Sequence, residues 1–162
     1  MSTISVLRIT SITLQLLLLG CENQKQGEVR IGEIGYTNIN SKDIDTSTVY
    51  LNLKKDDTLS FWTLTQFIHQ SDLEPSINYI IEVSCNNELV ETFKIDALKF
   101  DTISYENRHS HNGKSNLEFE GRNHSYPILS TGEYKLFCTF KFDNEEEFNL
   151  ERLQLYFTRS PR

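Results

Sequence analysis

From residue 47 onward the apolar side chains of this chain recur at every second position, and short polar clusters break the runs that carry them. Alternation of that kind puts one side of an extended strand into a core and leaves the other towards water. It predicts strands over 48–53, 58–68, 77–85, 88–95, 100–105, 116–120, 132–142 and 152–158, and residues 28–34 offer a further short one at the start. No ten-residue stretch has helical spacing. About eight short strands at these intervals predict an all-β domain over 46–162, an antiparallel β-sandwich of immunoglobulin-like or jelly-roll-like type. The joints agree with this. Lys55-Asp56-Asp57 is a charged turn, Asn86-Asn87 suits a two-residue hairpin that needs positive φ, and Asn112-Gly113 is the strongest hairpin signal in the chain. Pro127 falls in a connection, where its missing N–H removes no ladder bond.

One apolar run departs from period two. Residues 9–19 end in Leu16-Leu17-Leu18-Leu19, follow a single positive charge at Arg8, and run straight into Gly20-Cys21 and a polar stretch. The run is too short to span a bilayer, which takes about 20 apolar residues, and its layout is that of a secretory signal peptide. Leu18-Leu19-Gly20-Cys21 resembles the lipobox of bacterial lipoproteins. That resemblance implies a leader over 1–20 that is removed, a lipidated N-terminus and tether over 21–45, and acyl chains such as palmitate on Cys21. It places the body on the bacterial envelope, at the periplasmic or outer face of a membrane, the outer membrane being the expected one, with the lipid as its membrane contact.

Charge narrows the partners. The chain carries 16 basic and 23 acidic residues for a formal charge of −7, and loss of Arg8 with the leader takes it to −8. A body of that sign, with no basic stripe, repels phosphate backbones, so nucleic acid is not an expected partner. The remaining partner is another envelope protein.

Two cysteines are left once Cys21 is set aside. Cys85 shares a strand face with Tyr79, Ile81 and Val83, and Cys138 shares one with Tyr134, Leu136, Phe140 and Phe142, so both thiols face the core. In an oxidising compartment they are a possible disulfide; two separate buried thiols are the plainer reading. Ser130-Thr131-Gly132-Glu133-Tyr134 resembles the Gly-x-Tyr entry to a late strand of immunoglobulin-like domains, with the Cys four residues after the Tyr instead of two. Only the sandwich architecture follows from that resemblance.

Chemistry is sparse. His109, His111 and His124 are the nearest approach to a metal set, but they sit in a Ser/Asn/Gly-rich surrounding with no local Cys, Asp or Glu to complete it, so neither metal nor cofactor is expected. No Gly-x-Ser-x-Gly elbow and no phosphate-binding glycine loop is present. Asp56-Asp57 and Glu145-Glu146-Glu147 read as solvated turn charges. The expectation is a non-catalytic binding or structural domain. Its candidate partner surface is Trp62, Leu64 and Ile68, which lie opposite Leu59, Phe61 and Phe67 on a strand apolar on both faces; the plainer reading is that the N-terminal segment or a neighbouring strand covers them. The rival readings are an accessory subunit of a secretion or gliding apparatus, a carbohydrate-binding module with coplanar exposed aromatics, and a hydrolase, which a polar cleft holding two acids would favour.

Overall fold

A computed structural model describes residues 27–37, 46–69, 76–111, 114–143 and 148–161. The leader, Cys21, the Asn112-Gly113 turn and Glu145 to Glu147 lie outside the described residues. Nine strands follow one another: β1 (Val29–Thr37), β2 (Thr46–Leu53), β3 (Thr58–His69), β4 (Ser76–Cys85), β5 (Glu88–Asp96), β6 (Thr102–His111), β7 (Lys114–Pro127), β8 (Gly132–Asp143) and β9 (Phe148–Ser160). They form a five-stranded sheet in the order β1-β9-β3-β7-β6 and a four-stranded sheet in the order β2-β8-β4-β5. Every ladder is antiparallel.

The pairings are nested. β1 lies beside β9, β2 beside β8, β3 beside β7 and β4 beside β5, as in one long hairpin rolled up so that alternate rungs fall in alternate sheets. That is the jelly-roll member of the two expected sandwich types, with β6 added at the edge beyond β7. The immunoglobulin order, in which strands A, B, E and D share a sheet, is not the one found.

Alternation explains which side of each strand is buried. Leu59, Phe61, Thr63, Thr65 and Phe67 of β3 point inward, against Ile77, Tyr79, Ile81 and Val83 of β4 and Leu136, Cys138 and Phe140 of β8. Leu153, Leu155 and Phe157 of β9 complete the layer. Tyr79 meets Phe140 edge-on at 4.6 Å, and Phe61 meets Phe157 edge-on at 5.8 Å. Each fully buried side chain of this size stabilises the fold by about 1.5–3 kcal/mol before the entropy of ordering it. At the β1–β2 margin the sheets come close enough that a methyl group on Gly32 would lie 3.1 Å from Val49.

Two sequence expectations need correction. Residues 21–45 are not all tether, because Val29–Thr37 pairs along β9 as the outer strand of the larger sheet. It is the short first strand offered by residues 28–34, longer than expected; a bulge at Ile31 and the glycines at 32 and 35 interrupt its period. The strand expected over 116–120 runs on to Pro127, its alternation broken by Gly121 and by a bulge at Asn123. The hairpin expected at Asn86-Asn87 is present, with φ of 50° and 71°. The Tyr134 hydroxyl donates to the Ser130 carbonyl at 2.9 Å, tying strand to corner.

Candidate functional site

The bulge at Asn123 creates the most developed polar site. Opposite β7, Phe61 pairs with His124 and Trp62 with Arg122, so Asn123 has no partner across the ladder and its side chain turns inward. Its Oδ1 accepts from the Thr63 hydroxyl at 2.6 Å, and Tyr79 Oη lies 3.2 Å from the same hydroxyl. Its Nδ2 donates to the carbonyls of Asp96, Ala97 and Lys99 at 3.2, 3.2 and 2.9 Å. One amide thereby holds the β5–β6 connection against the larger sheet. Phe100, from that connection, covers Gly121 so closely that a Cβ there would meet its ring at 2.5 Å.

Between the latched connection and β4 lies a cleft of about 520 Å³ lined by Asn78, Lys94, Ile95, Asp96, Lys99, Phe100, Asp101, Asn123 and His124. Its size is that of a small-ligand pocket. The Asn123 amide is committed to the latch, and one Asp96 carboxylate oxygen accepts from the Leu98 N–H at 3.0 Å. Lys94, Lys99 and Asp101 are exposed charges on its walls, and the His124 ring rests against Phe93 at 4.8 Å and Phe61 at 6.1 Å. Tyr126, beyond His124, has its pKa raised by burial first, and then by the negative charges of Glu91 and Cys85.

The expected partner surface is differently built. Trp62, Leu64 and Ile68 do lie on the outer face of the larger sheet, but all three are half-buried. Glu33, Tyr156, Trp62 and Arg122 form one cross-strand row over β1, β9, β3 and β7. Within it the Trp62 and Tyr156 rings stack at 5.8 Å, 10° from parallel. Arg30 caps the Tyr156 ring at 4.2 Å, and the Arg122 guanidinium lies 5.9 Å from the Trp62 ring. The indole N–H is shared between Glu28 at 3.1 Å and Thr158 at 3.0 Å; Thr158 also donates to Glu28, and Tyr156 donates to Glu120 at 2.6 Å. Trp62 therefore follows the covered reading of this face: its ring faces are occupied by neighbours and Glu28 and Thr158 bind its indole edge, while Leu64 and Ile68 are half-buried on the same side.

The other sequence candidates are dispersed. Cys138 pairs with Ile81 while Cys85 pairs with Tyr134, four residues along the same ladder, or about 13 Å. A disulfide needs Cα atoms within about 7 Å, so the two are free buried thiols on one face and the possible disulfide is not formed. Burial pushes the Cys138 thiol up to about 12. Cys85 instead sits 3.6 Å from the Ser130 hydroxyl. His109 and His111 are on the exposed β6, His109 opposite Asn116, eight residues along β7 from His124 and thus about 26 Å away. Among the described residues no group of three or more His, Cys, Asp or Glu side chains is placed to hold a metal ion.

No protein-family model matches the chain, and no curated protein matches it significantly. Among solved structures it is similar to the structure of infectious bursal disease virus Gx strain, with 12% identity and a TM-score of 0.33 over 82% of this chain. The matched region spans 32% of that viral chain.

Proposed function

We propose that this is a lipid-anchored protein of the bacterial envelope whose jelly roll binds a partner without chemistry, through the cleft between β4, β5 and the β7 bulge. The anchor reading rests on the order Arg8, apolar run, Leu18-Leu19-Gly20-Cys21. The observation that carries the binding reading is the latch at Asn123, which holds a concave wall in place while the charged side-chain ends of Lys94, Lys99 and Asp101 stand exposed on it. Charges held on a rigid frame select a polar partner at little ordering cost. The partner in view is an envelope protein, including a neighbouring subunit of a secretion or gliding apparatus. A sugar platform fits less well, because the stacked faces of Trp62 and Tyr156 are not open to a pyranose ring. Replacing Lys94 and Lys99 together by Glu should abolish capture of the envelope partner while leaving melting temperature within a few degrees; a double variant that captures it unchanged rejects the cleft.

A second reading has its own observation, since the same cleft holds two carboxylates, Asp96 and Asp101. Paired acids across a cleft are the machinery of glycoside hydrolysis. Asp96 is already used to brace the turn at Leu98 and both acids are exposed, so binding is preferred. Hydrolysis of a glycan by the purified protein that disappears in Asp101→Asn would reverse that preference.

A further inference from the structure

One end of the sandwich gathers the entry of β1, the β2–β3 and β4–β5 turns and the β7–β8 connection. Hydrogen bonds knit it together: Asp56 N–H to the Ile128 carbonyl and Ile128 N–H to the Asp57 carbonyl, both at 2.8 Å, and Asn86 N–H to the Glu133 carbonyl at 2.9 Å. Lys55 N–H donates to the Thr131 hydroxyl at 2.9 Å. On this firm end stand Leu129 (72% exposed), Leu89 (62%), Val29 (50%) and Val90 (45%), four of the seven large apolar side chains most exposed among the described residues. They are spread across its width, with Val29 at the β1 margin, Leu89 and Val90 at the β5 margin, and Leu129 on the connection that crosses between the sheets. A single exposed leucine is ordinary, whereas four exposed apolar side chains distributed over one end give that end several apolar points of contact.

What covers that end follows from the chain before it. Glu28 is fixed by its bonds to Trp62 and Thr158, and Cys21 lies six residues before Gly27. Six residues reach at most about 21 Å when fully extended. The opposite end of the sandwich lies about 40 Å away along the twelve residues of β3. We infer that this end docks on the bilayer, with Leu129 and its apolar neighbours seated at the headgroup boundary; the inference rests on the lipid-anchor reading of Cys21. Lys54 and Lys55 share the end with Asp56, Glu88 and Glu133, so apolar seating, not net charge, is what the surface offers. Docking would fix how the body stands on the membrane and hence where the cleft points.

The test uses the full lipidated protein in vesicles of phosphatidylethanolamine and phosphatidylglycerol. Leu129→Cys and, at the far end, His111→Cys each carry an environment-sensitive fluorophore; both positions are exposed, while Cys85 and Cys138 are buried from the reagent. With a docked end, a quencher on the lipid chains should quench the label at 129 at least about three-fold more than the label at 111, as seating within 5–10 Å of the headgroup boundary requires. Equal quenching at the two positions in protein that floats with the vesicles overturns docking and leaves the anchor standing. Protein that does not float at all overturns both.

Discussion

Trp62 and Tyr156 face each other across β3 and β9 with their rings 5.8 Å apart and 10° from parallel. The pair sits on the outer side of the sheet, yet its capping guanidinium groups and its bonds to Glu28 and Thr158 make it part of the frame. Trp62→Ala removes the stack and the indole N–H together. It should destabilise the domain by about 3 kcal/mol, measured by urea unfolding, and Trp62→Phe, which keeps a ring, by less.

Asn123 is the residue whose loss should open the cleft. Asn123→Ala strips the side-chain amide that donates to the carbonyls of Asp96, Ala97 and Lys99, and is expected to cost about 2–4 kcal/mol. Asn123→Asp should be worse, because it turns an acceptor towards three carbonyl oxygens. Hydrogen exchange of residues 97–101 should rise in both variants; unchanged protection there would deny Asn123 its latching part.

Gly121 lies under Phe100, and a methyl group at that position would also meet the Thr102 carbonyl oxygen at 2.8 Å. Backbone cannot move aside as a flexible side chain does. Gly121→Ala should therefore lower stability by about 1–3 kcal/mol in thermal or urea unfolding, through overpacking.

Cys138 sets an alkaline limit. Its thiol pKa is raised from an ordinary 9.0 to about 12 by burial, so below pH 9 both folded and unfolded states hold the proton and the group makes stability no function of pH. Between pH 9 and about 12 the unfolded chain releases that proton and the folded one does not, so stability falls as pH rises, by up to about 4 kcal/mol across the window. Cys138→Ala should start less stable at pH 8 and lose less between pH 8 and 10.5. Thiol counting on unfolded, unreduced protein should find Cys85 and Cys138 both free.

Period two made most strands legible, because every second residue from Tyr79 to Cys85 and from Tyr134 to Phe140 is apolar and buried, even where Ile80 and Phe137 add an apolar side chain to the other face. What was hidden lies at bulges. The extra residues at Ile31 and Asn123 shift the phase of β1 and β7, so an alternation count stops short of the real strand. Asn123 left one signal, a strand-averse residue inside an otherwise extended stretch. Side-chain direction put both thiols in the core, but register along the ladder, which placed them about 13 Å apart, is a long-range property that local pattern does not carry. The same holds for the cleft: Asn78, Lys94, Asp101 and His124 come together only through the folding of two sheets. For Trp62, burial of the second face came from Glu28 and Tyr156, residues 34 positions before it and 94 after.

The nested pairing also sets an order in time. Among the nested pairs, the innermost, β4 with β5, is joined by a two-residue turn, and β6 with β7 is a second local pair beside the nest; each nested pair outside β4–β5 must close a longer loop, and the outermost brings Val29 to Arg159. Pairings so distant make folding slow, on the scale of milliseconds to seconds, with the local hairpin as the natural starting point. Because β9 lies between β1 and β3, a chain whose last strand is still being made keeps two long strand edges open, and these edges invite pairing with other chains until β9 arrives.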